Sequence, residues 1–207
     1  MAVNDHRVVL ASSNDGKVRE INSMLVGKSI TVISQSGLGV PDIPETGLSF
    51  IENALLKARN AATHTGLPAI ADDSGIEIPA LQGEPGIYSA RYAGEGASDA
   101  ANLEKLVNAV RALPEDHRQA RFVCIMVYLR HANDSVPLIA EGIWNGIAVT
   151  EPVGENGFGY DPMFYVPEHG CTSAQLPPEV KNRISHRGQA LRRLLEKLEF
   201  DLHGTTS

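Results

Sequence analysis

The sequence predicts an α/β fold built on a mixed β-sheet, and three observations lead there. Short apolar runs such as residues 7–11 alternate with segments of helical spacing, of which Ile51, Leu55, Ala58 and Ala62 form the clearest example. A long β-branched and aromatic run at residues 120–130 is followed closely by a second at 138–144, as in a hairpin. The chain has 207 residues, 43% of them hydrophobic and 21% charged, enough for one large domain or two small lobes with a buried core.

Taken in order, residues 7–11 read as a buried first strand and residues 12–17 as the turn after it. A helix follows with Val18, Ile21 and Leu25 on one face, then a short strand at 31–33. Residues 49–65 form the next helix, where Ser49 followed by Glu52 fits a capping box. Two short strands, 69–72 and 76–78, are expected to flank a turn at Asp73, Ser74 and Gly75. Leu103, Leu106, Val107 and Val110 mark a helix over 98–113, ahead of the hairpin. A glycine-rich stretch at 154–162 leads to a short strand at 163–166. The last helix, roughly 186–200, has Leu191, Leu194, Leu195 and Leu198 as its core face.

Composition narrows the function classes. Lysine and arginine total 18 against 25 aspartates and glutamates, a formal net charge of −7. That balance argues against broad nucleic-acid binding, so an anion would be held only where cations cluster beside backbone donors. Cys124 and Cys171 lie outside any CxxC pattern. They predict a buried structural thiol at Cys124, a reducing compartment with the cytoplasm as default, and no cysteine-based zinc site. The apolar runs are too short to span a bilayer, and residues 1–6 (MAVNDH) predict no signal-peptide core.

Four segments carry chemistry. Residues 12–17 (SSNDGK) end a strand and open a helix, where free N–H groups and the helix dipole suit a phosphate and Lys17 adds a full charge. This is not a Walker A loop: Ala11 stands where the first glycine belongs and Val18 replaces the Ser or Thr after the lysine. An N-capping turn with a solvated lysine would use the same residues. Asp72 and Asp73 are adjacent carboxylates at a strand end, costly near a core without partners. In extended backbone they point to opposite sides, so one suits Mg²⁺ or an oriented water while the other braces backbone. The competing reading is a turn in which one aspartate caps local N–H groups.

Glu45, in the loop 44–47 (PETG), and Lys57, on the helix after it, mean little singly. Residues 154–162 (GENGFGYDP) combine three glycines with two aromatics and the carboxylate of Asp161. Phe158 or Tyr160 suits stacking on a base and Asp161 suits accepting from ring N–H groups, although a flexible hairpin loop is also consistent. Lys181, His186 and Arg187 bring three cations to the start of the last helix, arginine being the better bidentate donor.

In this order and spacing the segments resemble the inosine triphosphate pyrophosphatase family, its bacterial XTP/dITP diphosphatases in particular. The resemblance runs from Val8 to about Leu198 and rests on residues 12–17, 45–47 (ETG), 50–54 (FIENA) with Lys57, and 71–75 (ADDSG). It continues through 85–92 (PGIYSARY), 157–162 (GFGYDP), and Lys181 with 185–188 (SHRG). Ser12 stands where threonine is common, a change that keeps the hydroxyl.

What the resemblance implies is a single domain over 1–207. Its fold would be elongated and two-lobed around a central mixed sheet with flanking helices, with the nucleotide in the cleft and homodimers typical. The implied reaction is NTP + H₂O → NMP + PPi on ITP, dITP and XTP with Mg²⁺, which keeps deaminated purines out of DNA and RNA. Asp73 becomes the general base and a metal-side carboxylate, and Glu45 a second one. Ser12, Ser13, Asn14, Asp15, Gly16, Lys17, Lys57 and Ser74 would hold the triphosphate. Phe158, Gly159 and Tyr160 would flank the base, while Asp161, Lys181, His186 and Arg187 read it or close over it. The partners are small-molecule nucleotides, with no direct nucleic-acid binding and no membrane.

Overall fold

Strand β1 (His6–Leu10) pairs in parallel with β2 (Ile30–Ser34) on one side and with β3 (Ala69–Glu77) on the other. The computed structural model describes residues 6–27 and 30–203; the opening residues 1–5 and the side chains of Asp15 and of 200–203 fall outside that description. Parallel neighbours require crossovers, which helices α1 (Asp15–Leu25) and α2 (Phe50–Thr65) supply. Strands β4 (Gln119–Leu129), β5 (Leu138–Ala148), β6 (Phe164–Val166) and β7 (Cys171–Thr172) complete a seven-stranded sheet of order β2-β1-β3-β4-β5-β6-β7. β5 with β6 and β6 with β7 are antiparallel, so the sheet is mixed. Helices α3 (Asp99–Arg111), α4 (Pro178–Ile184) and α5 (His186–His203) flank it.

The helices begin where their caps dictate. Asn14, Ser49 and Ser98 each accept a backbone N–H, from Lys17, Glu52 and Ala101 respectively. At α2 the Glu52 carboxylate reaches back to the Leu48 N–H at 2.9 Å and the Ser49 hydroxyl at 2.7 Å, closing the first turn.

The chain forms two compact units: Met1–Asp73 with Cys124–Gly142 and Arg187–Ser207, and Ser74–Val123 with Ile143–His186. In the first, the alternation of strand side chains builds two cores. On one face Val8, Leu10, Ile70, Cys124 and Met126 pack with Ile21 and Leu25 of α1 and with Leu191, Leu194 and Leu198 of α5. On the other, Val9, Ala69, Ala71, Val127 and Leu129 meet Ala54, Ala58, Ala61 and Ala62 of α2. The small alanines let α2 lie close to the sheet. In the second unit Ile76, Ile78, Phe122, Trp144 and Phe164 pack with Leu106, Val107 and Val110 of α3.

The structure corrects the sequence reading at β3, which is one strand of nine residues rather than two strands around a turn. Gly75 serves close approach here, because a Cβ would overlap the Gly86 carbonyl and the Ser89 hydroxyl. That hydroxyl also accepts the Ile76 N–H at 3.0 Å, holding the strand extended past the two aspartates. α4 and β7 carry too few residues to show a period, and no expectation covered them. Among the described residues no helix is long and apolar enough to cross a membrane.

Candidate active site

The continuous course of β3 decides where the paired carboxylates go. Asp72 shares a face with Ile70 and so points toward α1 and α5, while Asp73 shares a face with Ala71 and points toward α2. Both are buried, at 1% and 5% exposure, so each needs its own partners. Lys17, in the first turn of α1, brings its Nζ to 3.1 Å from Asp72 Oδ2, and Arg187 Nε of α5 lies 3.5 Å from the same oxygen. Arg187 also donates from Nη1 to Glu20 Oε2 at 2.5 Å. On the opposite face Lys57 Nζ donates to Asp73 Oδ1 and to Glu45 Oε1, both at 2.8 Å, joining the loop carboxylate to the strand carboxylate.

These surroundings drive the two aspartates apart. Burial disfavours the ionised form of both. At Asp72 the charges of Lys17, Arg187 and Lys57 overcome that effect and hold the carboxyl well below the usual range. At Asp73 burial prevails over Lys57 and Lys17, Glu45 adds to the rise, and the carboxyl sits above its ordinary value. Burial opposes the charge on Lys57 too, yet Asp73, Asp72 and Glu45 reverse it and keep the ammonium protonated. The result is a permanent anion beside a carboxylate of raised basicity, the pattern that separates electrostatic and proton-transfer roles. Cys124 lies beneath them, its thiol pushed up to about 12 by burial and by Asp72, which leaves it unreactive.

The turn after β1 presents Ser12, Ser13, Asn14 and Gly16 next to Lys17. Ser12 is buried and its hydroxyl accepts the Asn14 N–H at 3.3 Å, while Ser13 and Asn14 are exposed. Asp15 belongs to the first turn of α1, but its side chain lies outside the described residues. Ser74 follows Asp73 on β3 and is half-buried.

The remaining candidates lie in the second unit. Asp161 is 3% exposed and already committed: Oδ2 accepts from the Phe158 N–H at 2.8 Å and Lys181 Nζ at 2.6 Å, and Oδ1 from the Ser173 hydroxyl at 2.8 Å. The carboxylate thus shapes the loop instead of standing open to a ring N–H. Phe158 is half-buried with Lys181 Nζ 5.3 Å from its ring centre. Tyr160, by contrast, is packed in the core with its hydroxyl donating to the Ser89 carbonyl at 2.7 Å. The Gly159 N–H meets Asp99 at 3.0 Å. His186 stacks on Phe122, with centroids 4.6 Å apart and planes 8° from parallel.

The chain's kinship follows from sequence and fold together. The family model described as Ham1 family matches residues 8–197. The chain belongs to the Ham1 family. The dITP/XTP pyrophosphatase of Thioalkalivibrio sulfidiphilus is 59% identical over 193 residues, 93% of this chain and 98% of its own length. That of Escherichia coli K12 is 56% identical over 192 residues with the same coverage. Among solved structures, a HAM1 protein from Coxiella burnetii superposes with a TM-score of 0.86 at 50% identity, covering 93% of this chain and 98% of that one. The Ham1 protein of Staphylococcus aureus gives 0.81 at 43%, covering 94% and 99%.

In this Ham1 chain sequence reasoning missed several residues that shape the site. Glu20, Asn53, Ser89, Phe122 and Ser173 were assigned no part, yet each holds a candidate residue or the strand beside it. None carried a local signal: Asn53 lies opposite the Ile51, Leu55, Ala58 and Ala62 spacing that the sequence shows, and the fold buries the face that carries Phe50, Asn53 and Ala54 instead.

Proposed function

We infer that the protein hydrolyses non-standard purine nucleoside triphosphates, ITP, dITP and XTP, to the monophosphate and pyrophosphate. One observation carries the reading. A chain similar over nine-tenths of its length to proteins named dITP/XTP pyrophosphatase holds a buried carboxylate of raised pKa, Asp73, beside a loop carboxylate and a lysine. The work of such an enzyme is to keep deaminated purines out of the nucleotide pool, in the cytoplasm.

Asp73 takes a proton from water as the water oxygen bonds to the α-phosphorus. The bond from that phosphorus to the bridging oxygen breaks in line, and pyrophosphate leaves with the electron pair. Ser12, Ser13, Asn14, Asp15, Gly16 and Lys17 hold the triphosphate with Lys57 and Ser74, and Lys17 balances charge on the leaving group. Among the described residues no three His, Cys, Asp or Glu side chains gather as a metal cage. The oxygen pair of Glu45 and Asp73 fits Mg²⁺, which takes one or two carboxylates together with substrate phosphate oxygens. Bound there, Mg²⁺ supplies charge neutralisation.

Phe158 stacks on the base, on a loop set by Gly159, Tyr160 and Asp161, and Lys181, His186 and Arg187 read or cover it. Adenine reverses the hydrogen-bond sense at the purine 6-position and guanine adds a 2-amino group. A site built for one pattern leaves buried groups unpaired with the other, which makes rejection large.

The test compares the protein with Asp73→Asn on ITP, dITP, XTP, GTP, ATP and dUTP in Mg²⁺, with pyrophosphate and orthophosphate measured separately. Pyrophosphate from ITP and XTP but little from ATP or GTP is expected, with a loss of about 10²–10⁴-fold in the variant. Orthophosphate as the product would refute the cleavage position.

A further inference from the structure

We propose that Asn53 is a positioning residue for hydrolysis, orienting Asp73 and fixing the Glu45 loop through one buried amide. The proposal rests on the reading of Asp73 as the base. Asn53 is on α2, fully buried, and its side chain faces two segments of the first unit. Its Nδ2 donates to Asp73 Oδ2 at 3.4 Å, and its Oδ1 accepts the Gly47 N–H at 2.8 Å. The Asn53 backbone N–H is bonded to the Ser49 carbonyl at 3.2 Å, so the helix does not need the side chain.

Lys57, four residues on, grips the same two segments through Asp73 Oδ1 and Glu45 Oε1. The two contacts differ in kind. An ammonium on a flexible stem attracts a carboxylate from many directions, whereas a planar amide fixes donor and acceptor at a set angle. Lys57 therefore supplies charge and Asn53 supplies direction. Gly47 completes the device. A Cβ there would overlap the Glu52 Cβ and the Asn53 Oδ1, so only glycine brings the loop backbone within reach of the amide. Aspartate at position 53 would keep the acceptor toward Gly47 but lose the donor toward Asp73. Serine would be too short to reach both.

The experiment measures kcat and KM for pyrophosphate release from ITP in Asn53→Asp and Asn53→Ser, with folding checked by circular dichroism. Misaiming the base lowers kcat by about 10- to 100-fold in either variant. KM should change by less than about threefold, since the amide does not bind substrate. If the buried charge prevents Asn53→Asp from folding, the neutral Asn53→Ser is read alone. A kcat within about twofold of the parent, or a raised KM at unchanged kcat, overturns the proposal. Hydrogen exchange gives a readout free of activity: the Gly47 amide should exchange at least about tenfold faster in Asn53→Ser. Unchanged exchange also overturns it. A parent protein that releases no pyrophosphate defeats the functional reading instead, and the exchange rate still judges the hold of Asn53 on the loop.

Discussion

Asp72 and Asp73 differ by one position and by everything around them. The strand turns one toward Lys17 and Arg187 and the other toward Asn53 and Lys57, so identical side chains acquire opposite shifts. Asp72 cannot be replaced cheaply in such a place. Its charge is the counterion of Arg187, itself 3% exposed, and of Lys17. Asp72→Asn leaves those cations short of a buried anion, and breaking such a pair costs about 3–5 kcal/mol. Urea unfolding at neutral pH should show that loss, and a midpoint close to the parent's would mean that Glu20 alone satisfies Arg187. Asp73→Asn should cost activity far more than stability, because the neutral amide suits a site that already disfavours the charged form.

The β4–β5 hairpin holds its own electrostatic clamp. Asp134, 3% exposed, accepts from the Arg130 N–H at 3.0 Å, from Arg130 Nε and Nη2 at 2.9 Å each, and from the Val136 N–H at 2.9 Å. Hydrogen bonds from Arg130 hold its carboxyl well below the usual range. A depressed folded-state pKa means stability that is fully present above the unfolded value, about 4, and lost as pH falls through the folded value. Asp134→Asn should therefore be less stable than the parent at pH 7, with the gap closing as the solution is acidified below about pH 4. Denaturant midpoints along that pH series check it, and a gap independent of pH would reduce Asp134 to a shape-filling role. The same loop is tied to α2, since Arg59 donates to the Ala132 carbonyl at 2.9 Å. Loosening the turn therefore reaches the helix that carries Asn53 and Lys57.

At the scale of the whole molecule the exposed surface bears on assembly. In the second unit a groove of about 600 Å³ is lined by Ile147, Val149, Val153 and Tyr165 together with the polar Glu115, Arg118, Thr150 and Gln175. Ile147 is 37% and Val153 48% exposed, an apolar surface of the kind that favours self-association. Light scattering on the purified protein should give twice the monomer mass, in keeping with the homodimer proposed from the resemblance. A monomer at micromolar concentration would assign that groove no part in assembly.

Much of this protein was legible in its letters because the relevant signals are local. The helix starts at Ser49 and Ser98 are hydroxyl caps, and the last helix shows its leucine face at 191, 194, 195 and 198. The ordered motifs from SSNDGK to SHRG were enough to reach the family that the comparisons bear out. Alternation along a strand likewise predicts that Asp72 and Asp73 face apart. Which helix covers each face is a matter of packing between separate segments, from the 16 residues between Lys57 and Asp73 upward, and no local pattern encodes it. Only the tertiary structure set Arg187 against Asp72, closed the Asn53 amide on Gly47 and Asp73, stacked His186 on Phe122 and drew Tyr160 into the core. Burial decided these placements: a polar group removed from water must find its partner wherever the fold brings one, however distant in the chain.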